Sequence, residues 1–244
     1  MQTQVTKTVR EIALESTTAP AVLEALGIDY CCGGHLPFEE ACKKSGKSPE
    51  TVIAQLAQAV RESAARNDKS SDWKSKPLTE LIGHINATHH VFVRNECPRL
   101  MALADKVATK HGPNKPELKR VHAVFSALAQ ELSVHLMKEE QILFPYVERL
   151  EEASLQQEAA PPSCCFGTVE NPIRMMMFEH DSAGEALREL RRLTSDYTVP
   201  ADGCMSYRAL FEGLAAFEAD LHQHIHLENN ILFPRAVELA HAAD

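Results

Sequence analysis

The sequence predicts an all-α protein, an antiparallel four-helix bundle preceded by a small helical N-terminal domain. From Pro77 onward, apolar residues recur at helical spacing, and the chain repeats one segment of this pattern 89 residues later. Two helical hairpins that cannot bury their apolar stripes alone form a four-helix bundle. Aromatic residues make up only 6% of the chain, which disfavours a many-stranded β-sandwich or propeller.

Composition limits the class of protein and its partners. The 244 residues are 44% hydrophobic and 24% charged, which is typical of a soluble protein with a full core. A net charge of -9 argues against nucleic acid or anionic lipid as a main partner. The sequence has neither an apolar run of about 18 residues nor the apolar stretch of a secretory signal, so we expect no membrane association. Seven cysteines, four of them in adjacent pairs, favour the reducing cytoplasm.

Breaks in composition predict three parts: a small helical domain at 1–66, a linker at 67–76 and the bundle at 77–244. In the first part, Pro20 and Gly27 bracket a short helix, Gly46 closes another, and Pro49 opens a third. The polar stretch after Arg66 predicts the linker.

A turn in the N-terminal domain carries the sequence Asp29-Tyr30-Cys31-Cys32-Gly33-Gly34. We expect an exposed turn whose glycines can take positive φ. Adjacent thiols at such a place can react or bind a soft metal, or they can be half-buried structural thiols. Cys31 and Cys32 are the candidates for metal transfer or redox chemistry. Cys204 is predicted to be structural or incidental.

The repeated segment puts a histidine and a glutamate in the inward seam of two helices at the same depth. Seam positions follow one another at steps of four and three residues, the spacing of a bundle core. They are His135, Glu139 and Ile142 in the first copy and His224, Glu228 and Ile231 in the second. Pro145 and Pro234 end the two copies and are expected to kink or end helices.

The other two bundle helices each add one inward histidine. His90 is in register with Val93 and Leu100, and His180 is in register with Ile173 and Leu190. His89 is adjacent to His90, and we choose His90 as the inward residue because its spacing matches that of His180. The remaining histidines lie off the seam, as surface residues or at most orienting ligands. Glu140 is rotated by about 100° from Glu139 and is predicted to be solvated.

Four histidines and two glutamates that converge inside one bundle predict a site for two metal ions. Burying two ionised carboxylates close together is unfavourable, so the glutamates are either protonated or have a cation between them. A lone buried histidine is usually a core residue, but the repeat places the pair in the seam twice. Imidazole and carboxylate ligands with an open position favour non-haem iron over manganese, and zinc rarely needs six protein ligands.

These residues resemble the family of iron–sulfur cluster repair di-iron proteins, the RIC family. The turn at 29–34 resembles that family's short N-terminal domain, and 77–240 resembles its hemerythrin-like domain. The segments 135–145, 179–181 and 224–230 match its metal motifs. The resemblance implies two iron ions per chain, joined by an oxo or hydroxo bridge. It implies terminal ligands and bridging carboxylates as follows: His90, His135, His180 and His224 as terminal ligands, and Glu139 and Glu228 as bridges.

The resemblance implies that the chain restores damaged iron–sulfur clusters under nitrosative and oxidative stress by supplying iron. Its partners would be iron–sulfur proteins, with nitric oxide or dioxygen as small ligands, and a homodimer is allowed. Two alternatives stay open: an enzyme that reduces nitric oxide, and a dioxygen carrier or sensor. A carrier of the hemerythrin kind uses five histidines, whereas the seam offers four, which disfavours the second alternative.

Overall fold

The computed structural model describes residues 7–66, 72–157, 159–161 and 166–242. These residues confirm the all-α class, and they fall into two compact units. One unit comprises the residues up to Pro77 together with His222–Arg235, and the other comprises Leu78–Leu221 with the residues from Ala236 onward. The boundaries at 66 and 76 stay predictions. Residues 67–71 of the predicted linker and the pair Cys164-Cys165 lie outside the described residues.

Capping residues and glycines mark several ends of the N-terminal helices. In chain order they are α1 Val9–Ala13, α2 Ala19–Ala25, the 3-10 turn Gly33–His35, α3 Phe38–Lys44 and α4 Pro49–Arg66. Thr8 and Glu11 form a reciprocal capping box at the start of α1. Gly27 and Gly46 follow α2 and α3 in the left-handed region that glycine tolerates. Ile12, Leu23 and Phe38 are fully buried at the centre of this apolar core.

The bundle consists of four long helical rods, as the sequence predicts. Three rods are each interrupted once by a π-helical segment, and the third rod is α9 alone. The α-helices are α5 Leu78–Ile85, α6 Val91–His111, α7 Glu117–Lys138, α8 Phe144–Gln156, α9 Glu170–Leu193, α10 Met205–Leu227 and α11 Phe233–Ala242. The π segments are Asn86–His90, Glu139–Leu143 and Glu228–Leu232. None of the described helices combines the length and hydropathy that a transmembrane span needs.

Aromatic side chains of α6, α7 and α10 pack against one another inside the bundle. Phe125 of α7 and Phe217 of α10 pack edge to face with ring centroids 5.3 Å apart. Phe92 of α6 lies 6.3 Å from the same Phe217 ring. Since α7 also packs against α6 and α9, its apolar face is covered on both sides.

The π segments correct the sequence prediction at two points. Ile142 was predicted to face inward, but its side chain is 44% exposed, and Leu143 is buried in its place. A π segment holds one extra residue per turn, so the inward register moves by one position after Glu139. Neither Pro145 nor Pro234 ends its rod. Each is the second residue of the α-helix that follows, where its missing N–H breaks no hydrogen bond of that helix.

The start of α5 is capped by a carboxylate from α8. The Glu151 side chain accepts hydrogen bonds from the backbone N–H of Leu78 at 2.6 Å and of Thr79 at 2.9 Å. It also accepts one from the Thr79 hydroxyl at 2.9 Å. These bonds satisfy N–H groups that a helix start leaves without intrahelical partners, and they place a negative charge at the positive end of the helix.

Glu151→Ala should therefore lower the free energy of unfolding by about 1–2 kcal/mol, the usual effect of removing a helix cap. Chemical denaturation measures this value. Glu152→Ala is the matched control because Glu152 is exposed and bonds only Gln156 of its own helix. An equal loss in both variants would contradict the capping role of Glu151.

Candidate metal centre

The six predicted ligands lie at the π segments or one turn from them, with His180 as the exception in the middle of α9. His90 ends the first π segment, and Glu139 and Glu228 begin the second and third. π-helical turns inside α-helices occur frequently at functional sites. All six side chains are buried, and none is more than 3% exposed.

Glu139 lies between two histidines of the bundle. Its Oε1 is 3.2 Å from Nε2 of His135, and its Oε2 is 3.5 Å from Nε2 of His90. Nε2 of His135 also lies 3.0 Å from Nε2 of His180. The carboxylate therefore faces one imidazole with each oxygen, as a bridging ligand would.

The second copy of the repeat has the same local geometry. His224 and Glu228 are four residues apart, and Nε2 of His224 is 3.1 Å from Oε1 of Glu228. This matches the 3.2 Å between His135 and Glu139. The spacing of four residues puts both side chains of each pair on one helix face.

Two overlapping groups of ligand atoms can each hold a metal ion. In each group, the nitrogen and oxygen atoms all lie within 4.8 Å of one another. The groups are His90, Glu139, His224 and Glu228, and His135, Glu139, His180 and Glu228. Each group combines two imidazoles with the same two carboxylates, so the two glutamates are shared.

Outer carboxylates hold two of the imidazoles in position. His90 Nδ1 donates to Glu140 at 2.7 Å, and His135 Nδ1 donates to Glu179 at 2.8 Å. With Nδ1 engaged, Nε2 of each ring faces inward, which is the arrangement that metal-binding histidines adopt. The expectation that Glu140 is only solvated is wrong, because its rotation away from Glu139 directs it toward the back of the His90 ring.

Cations anchor these outer carboxylates in turn. Arg94 donates to Glu140 at 2.5 Å, and Lys138 donates to Glu179. Burial raises the pKa of both carboxyl groups, but the hydrogen bonds from Arg94 and His90 and from Lys138 and His135 outweigh it, so each pKa is lowered. Both carboxylates are therefore ionised at neutral pH and can orient an imidazole.

Two further histidines are more buried than the sequence suggested. His89 Nδ1 donates to Asp220 at 3.0 Å, so this ring is turned to a different partner from that of His90. His226 accepts a hydrogen bond at Nδ1 from Asn230 at 2.8 Å. Burial, with a smaller effect of Arg10, lowers the pKa of His226 to about 4. His226 is therefore a neutral residue that fixes the chain after His224.

The donor set fits metal ions. Two ligands at right angles on one ion lie about 3 Å apart when each bond is about 2.1 Å, which agrees with the 3.0 Å between Nε2 of His135 and Nε2 of His180. Imidazole nitrogens with carboxylate oxygens suit iron and manganese. A cation would also offset the burial of two carboxylates that are fully excluded from solvent.

The predicted Cys31 and Cys32 turn is present, with a different local structure. Gly33 and Gly34 form part of a 3-10 turn and do not adopt positive φ. Cys31 is 4% exposed and so is not in an exposed turn, whereas Cys32 is partly exposed. The turn is buried here because side chains of the third π segment hydrogen-bond its carbonyl groups: Asn230 donates to Tyr30 at 2.9 Å.

A cavity of about 470 Å³ reaches two of the histidines from the surface of the bundle. Leu128, Leu132 and Ala183 line it together with His135 and His180. Lys138 and Glu179 also line the cavity, but most of its surface is apolar, so it can admit a small uncharged molecule.

Sequence reasoning missed the outer carboxylates and the contact between one cysteine and a histidine. A glutamate directly before His180 and one directly after Glu139 were the available signals for Glu179 and Glu140. Cys204 was predicted to be incidental, but His111 Nε2 lies 3.3 Å from its sulfur. The hydrogen bond from His111, with backbone N–H groups of Tyr207 and Ser206, lowers the pKa of this thiol to about 7. No sequence spacing brings His111 and Cys204 together.

Two family models match the chain. The Hemerythrin HHE cation binding domain matches residues 81–236, and a Domain of Unknown function (DUF542) matches residues 5–60. The first match contains all six predicted metal ligands, and the second contains the Cys31-Cys32 turn.

Curated relatives match nearly the whole chain. A "Probable iron-sulfur cluster repair protein" of Haemophilus influenzae is 37% identical over 93% of this chain and 95% of its own length. A protein of Musicola paradisiaca named "Iron-sulfur cluster repair protein YtfE" is 35% identical over 95% of this chain and 96% of its own length. A protein of the same name from Yersinia pseudotuberculosis is 38% identical over 86% of this chain and 87% of its own length. Since the HHE model matches more than half of the chain and these relatives match most of it, this protein belongs to the family of iron–sulfur cluster repair proteins that carry a hemerythrin HHE domain.

Proposed function

We propose that this chain repairs stress-damaged iron–sulfur clusters in the cytoplasm by supplying iron. The iron is held as two ions by the six buried ligands, His90, His135, Glu139, His180, His224 and Glu228. The names of the relatives support repair as the function. Five described cysteines that are all free thiols support a reducing compartment.

The observation that carries this proposal is the pair of shared carboxylates, Glu139 and Glu228, in two groups of metal-binding atoms. Iron bound there supplies a divalent ion for cluster rebuilding and an open coordination position for a small ligand. Two carboxylates, fewer than the four of ferritin-like sites, suit a site that releases its metal. Partners of this activity are iron–sulfur proteins whose clusters have been damaged.

The chain's own residues set how firmly the iron is held. Glu140 and Glu179 hold the rings of His90 and His135 from behind, which keeps Nε2 of each ring directed inward. Lys138 and Arg94 keep those two carboxylates ionised and in place. The outer residues therefore act as positioning residues for the ligands.

Glu139→Leu should reduce bound iron from two ions per chain to one or none, because the shared carboxylate is lost from both groups. Metal analysis of the purified, iron-loaded chain measures this content. Glu139→Gln keeps the shape of the side chain and should show the same loss if the leucine variant folds poorly. Glu131→Leu, an exposed position about two turns earlier on α7, should keep two ions. Two ions per chain in a folded Glu139→Leu variant would show that this carboxylate is not a shared ligand.

Glu179→Gln should weaken iron binding by roughly 10- to 100-fold, the usual effect of losing the partner of a metal-binding histidine. The rate of iron transfer to a ferrous chelator gives the measurement. Glu185→Gln on the same helix is the control, since Glu185 is exposed. Equal release rates in the two variants would mean that Glu179 does not position His135.

Loading the chain with ⁵⁷Fe tests the supply of iron directly. An iron–sulfur protein damaged with nitric oxide should regain its cluster absorption when the loaded chain is added, and ⁵⁷Fe should appear in the restored cluster. Restored clusters that contain no ⁵⁷Fe would overturn the supply of iron as the mechanism. The Glu139→Leu chain, carrying less iron, should restore fewer clusters in the same assay.

The cavity beside His135 and His180 favours a second candidate function, the binding or reduction of nitric oxide. Its apolar lining and its position suit a diatomic ligand. Reductant-dependent consumption of nitric oxide over many turnovers by the iron-loaded chain would support this activity. If Cys31→Ser with Cys32→Ser abolishes cluster restoration while that consumption continues, the thiols serve iron transfer and both activities exist.

A further inference from the structure

The turn at Asp29–Cys32 brings two thiols and a carboxylate together outside the cluster of histidines. The sulfur atoms of Cys31 and Cys32 are 3.8 Å apart, and the Cys31 sulfur is 3.4 Å from Oδ1 of Asp29. One ligand atom from each of Asp29, Cys31 and Cys32 lies within 4.8 Å of the other two. Adjacent side chains point about 100° apart in a helix and to opposite faces in a strand, so this turn is what puts both thiols on the same side.

These distances are those of a metal site. Two thiolates on a tetrahedral ion with metal–sulfur bonds of about 2.3 Å lie about 3.8 Å apart, and a carboxylate oxygen would lie about 3.6 Å from each sulfur. The distance between the two sulfur atoms and the distance from the Cys31 sulfur to Asp29 Oδ1 already agree with these values within a few tenths of an ångström. We propose that Asp29, Cys31 and Cys32 bind one divalent thiophilic metal ion, with two sulfur ligands, one oxygen ligand and an open fourth position.

Hydrogen bonds shape the turn around this carboxylate. Asp29 Oδ1 accepts the backbone N–H of Cys31 at 3.2 Å, of Cys32 at 3.0 Å and of Gly33 at 2.9 Å. An asparagine would accept the same three N–H groups through its side-chain oxygen, but it would carry no charge. The structural role of this side chain can thus be separated from its role as a ligand.

Protons balance in the binding step. One divalent ion displaces the proton of each thiol and binds the carboxylate as it is, so up to two protons are released for each ion bound. No electron is transferred, and no other reactant is consumed. The partly exposed Cys32 gives an ion a route to the site from solvent.

The same turn is attached to the chain segment that carries one of the proposed iron ligands. Asn230 donates to the carbonyl of Tyr30 at 2.9 Å, and Asn229 donates to the carbonyl of Cys31 at 3.5 Å. These asparagines directly follow Glu228. Gly34 allows this close approach, because a Cβ there would lie 3.4 Å from the side-chain oxygen of Asn230 and 3.2 Å from Cβ of Arg10.

Given the proposed function, the ion bound by the turn is Fe²⁺ that enters or leaves the chain. The identity of the ion rests on the proposed function, whereas the site itself rests on Asp29, Cys31 and Cys32. A site with three protein ligands holds an ion less firmly than one that gives each ion four, as a transfer step requires.

Titration of the iron-loaded full chain with Co²⁺ under reducing, oxygen-free conditions tests the site. Wild type should bind one additional ion per chain, with thiolate-to-cobalt charge-transfer absorption, while its original iron is retained. Cys31→Ser with Cys32→Ser should lose this absorption. Asp29→Asn should keep the absorption and the fold but bind roughly tenfold more weakly, as expected when a charged ligand becomes neutral. Cys204→Ser, which removes the other partly exposed thiol among the described cysteines, should behave as wild type.

The site is overturned if wild type takes up no further ion with sulfur absorption, or if the double serine variant binds it equally well. Equal affinity of Asp29→Asn and wild type would remove Asp29 from the ligand set. Replacing Co²⁺ with Fe²⁺ should give the same stoichiometry. This result is independent of cluster restoration: binding without restoration would contradict the proposed function and leave the site standing.

Discussion

Two carboxylates excluded from water, Glu139 and Glu228, set the strongest constraint on this molecule. An ionised carboxylate in a protein interior is stable only when cations or hydrogen-bond donors surround it. Here the immediate neighbours are imidazole nitrogens at 3.1 to 3.5 Å. The positions of the inward histidines and of the π segments follow from the need to bring donors to these two groups.

The constraint extends outward through a second layer of charge. An imidazole that faces a metal with one nitrogen must place its other nitrogen somewhere, and Glu140 and Glu179 accept that N–H. Those carboxylates in turn need cations, which Arg94 and Lys138 supply near the surface. A buried carboxylate is therefore followed by an imidazole, an outer carboxylate and a cation, so that opposite charges balance from the interior to the surface. This arrangement also fixes the tautomer of the His90 and His135 rings.

Sequence periodicity was sufficient for the fold class and for the inward histidine and glutamate pairs, because a repeat at fixed offset constrains both copies together. It failed at Ile142, since a constant period cannot foresee the extra residue of a π turn. It also failed at Glu140, whose partner His90 is on another helix. The burial of Cys31 and the pairing of Cys204 with His111 depend on contacts between distant parts of the chain, and no local pattern encodes these.

The π segments also bear on how such a site can be rebuilt in another protein. After the second π segment, the apolar stripe resumes one residue out of step with the stripe before it, since Leu143 is buried and Ile142 is exposed. Grafting the histidine and glutamate onto an uninterrupted α-helix would therefore rotate the residues that follow by about 100° and expose the apolar face of that helix to water. The transplantable unit is the pair together with its extra residue.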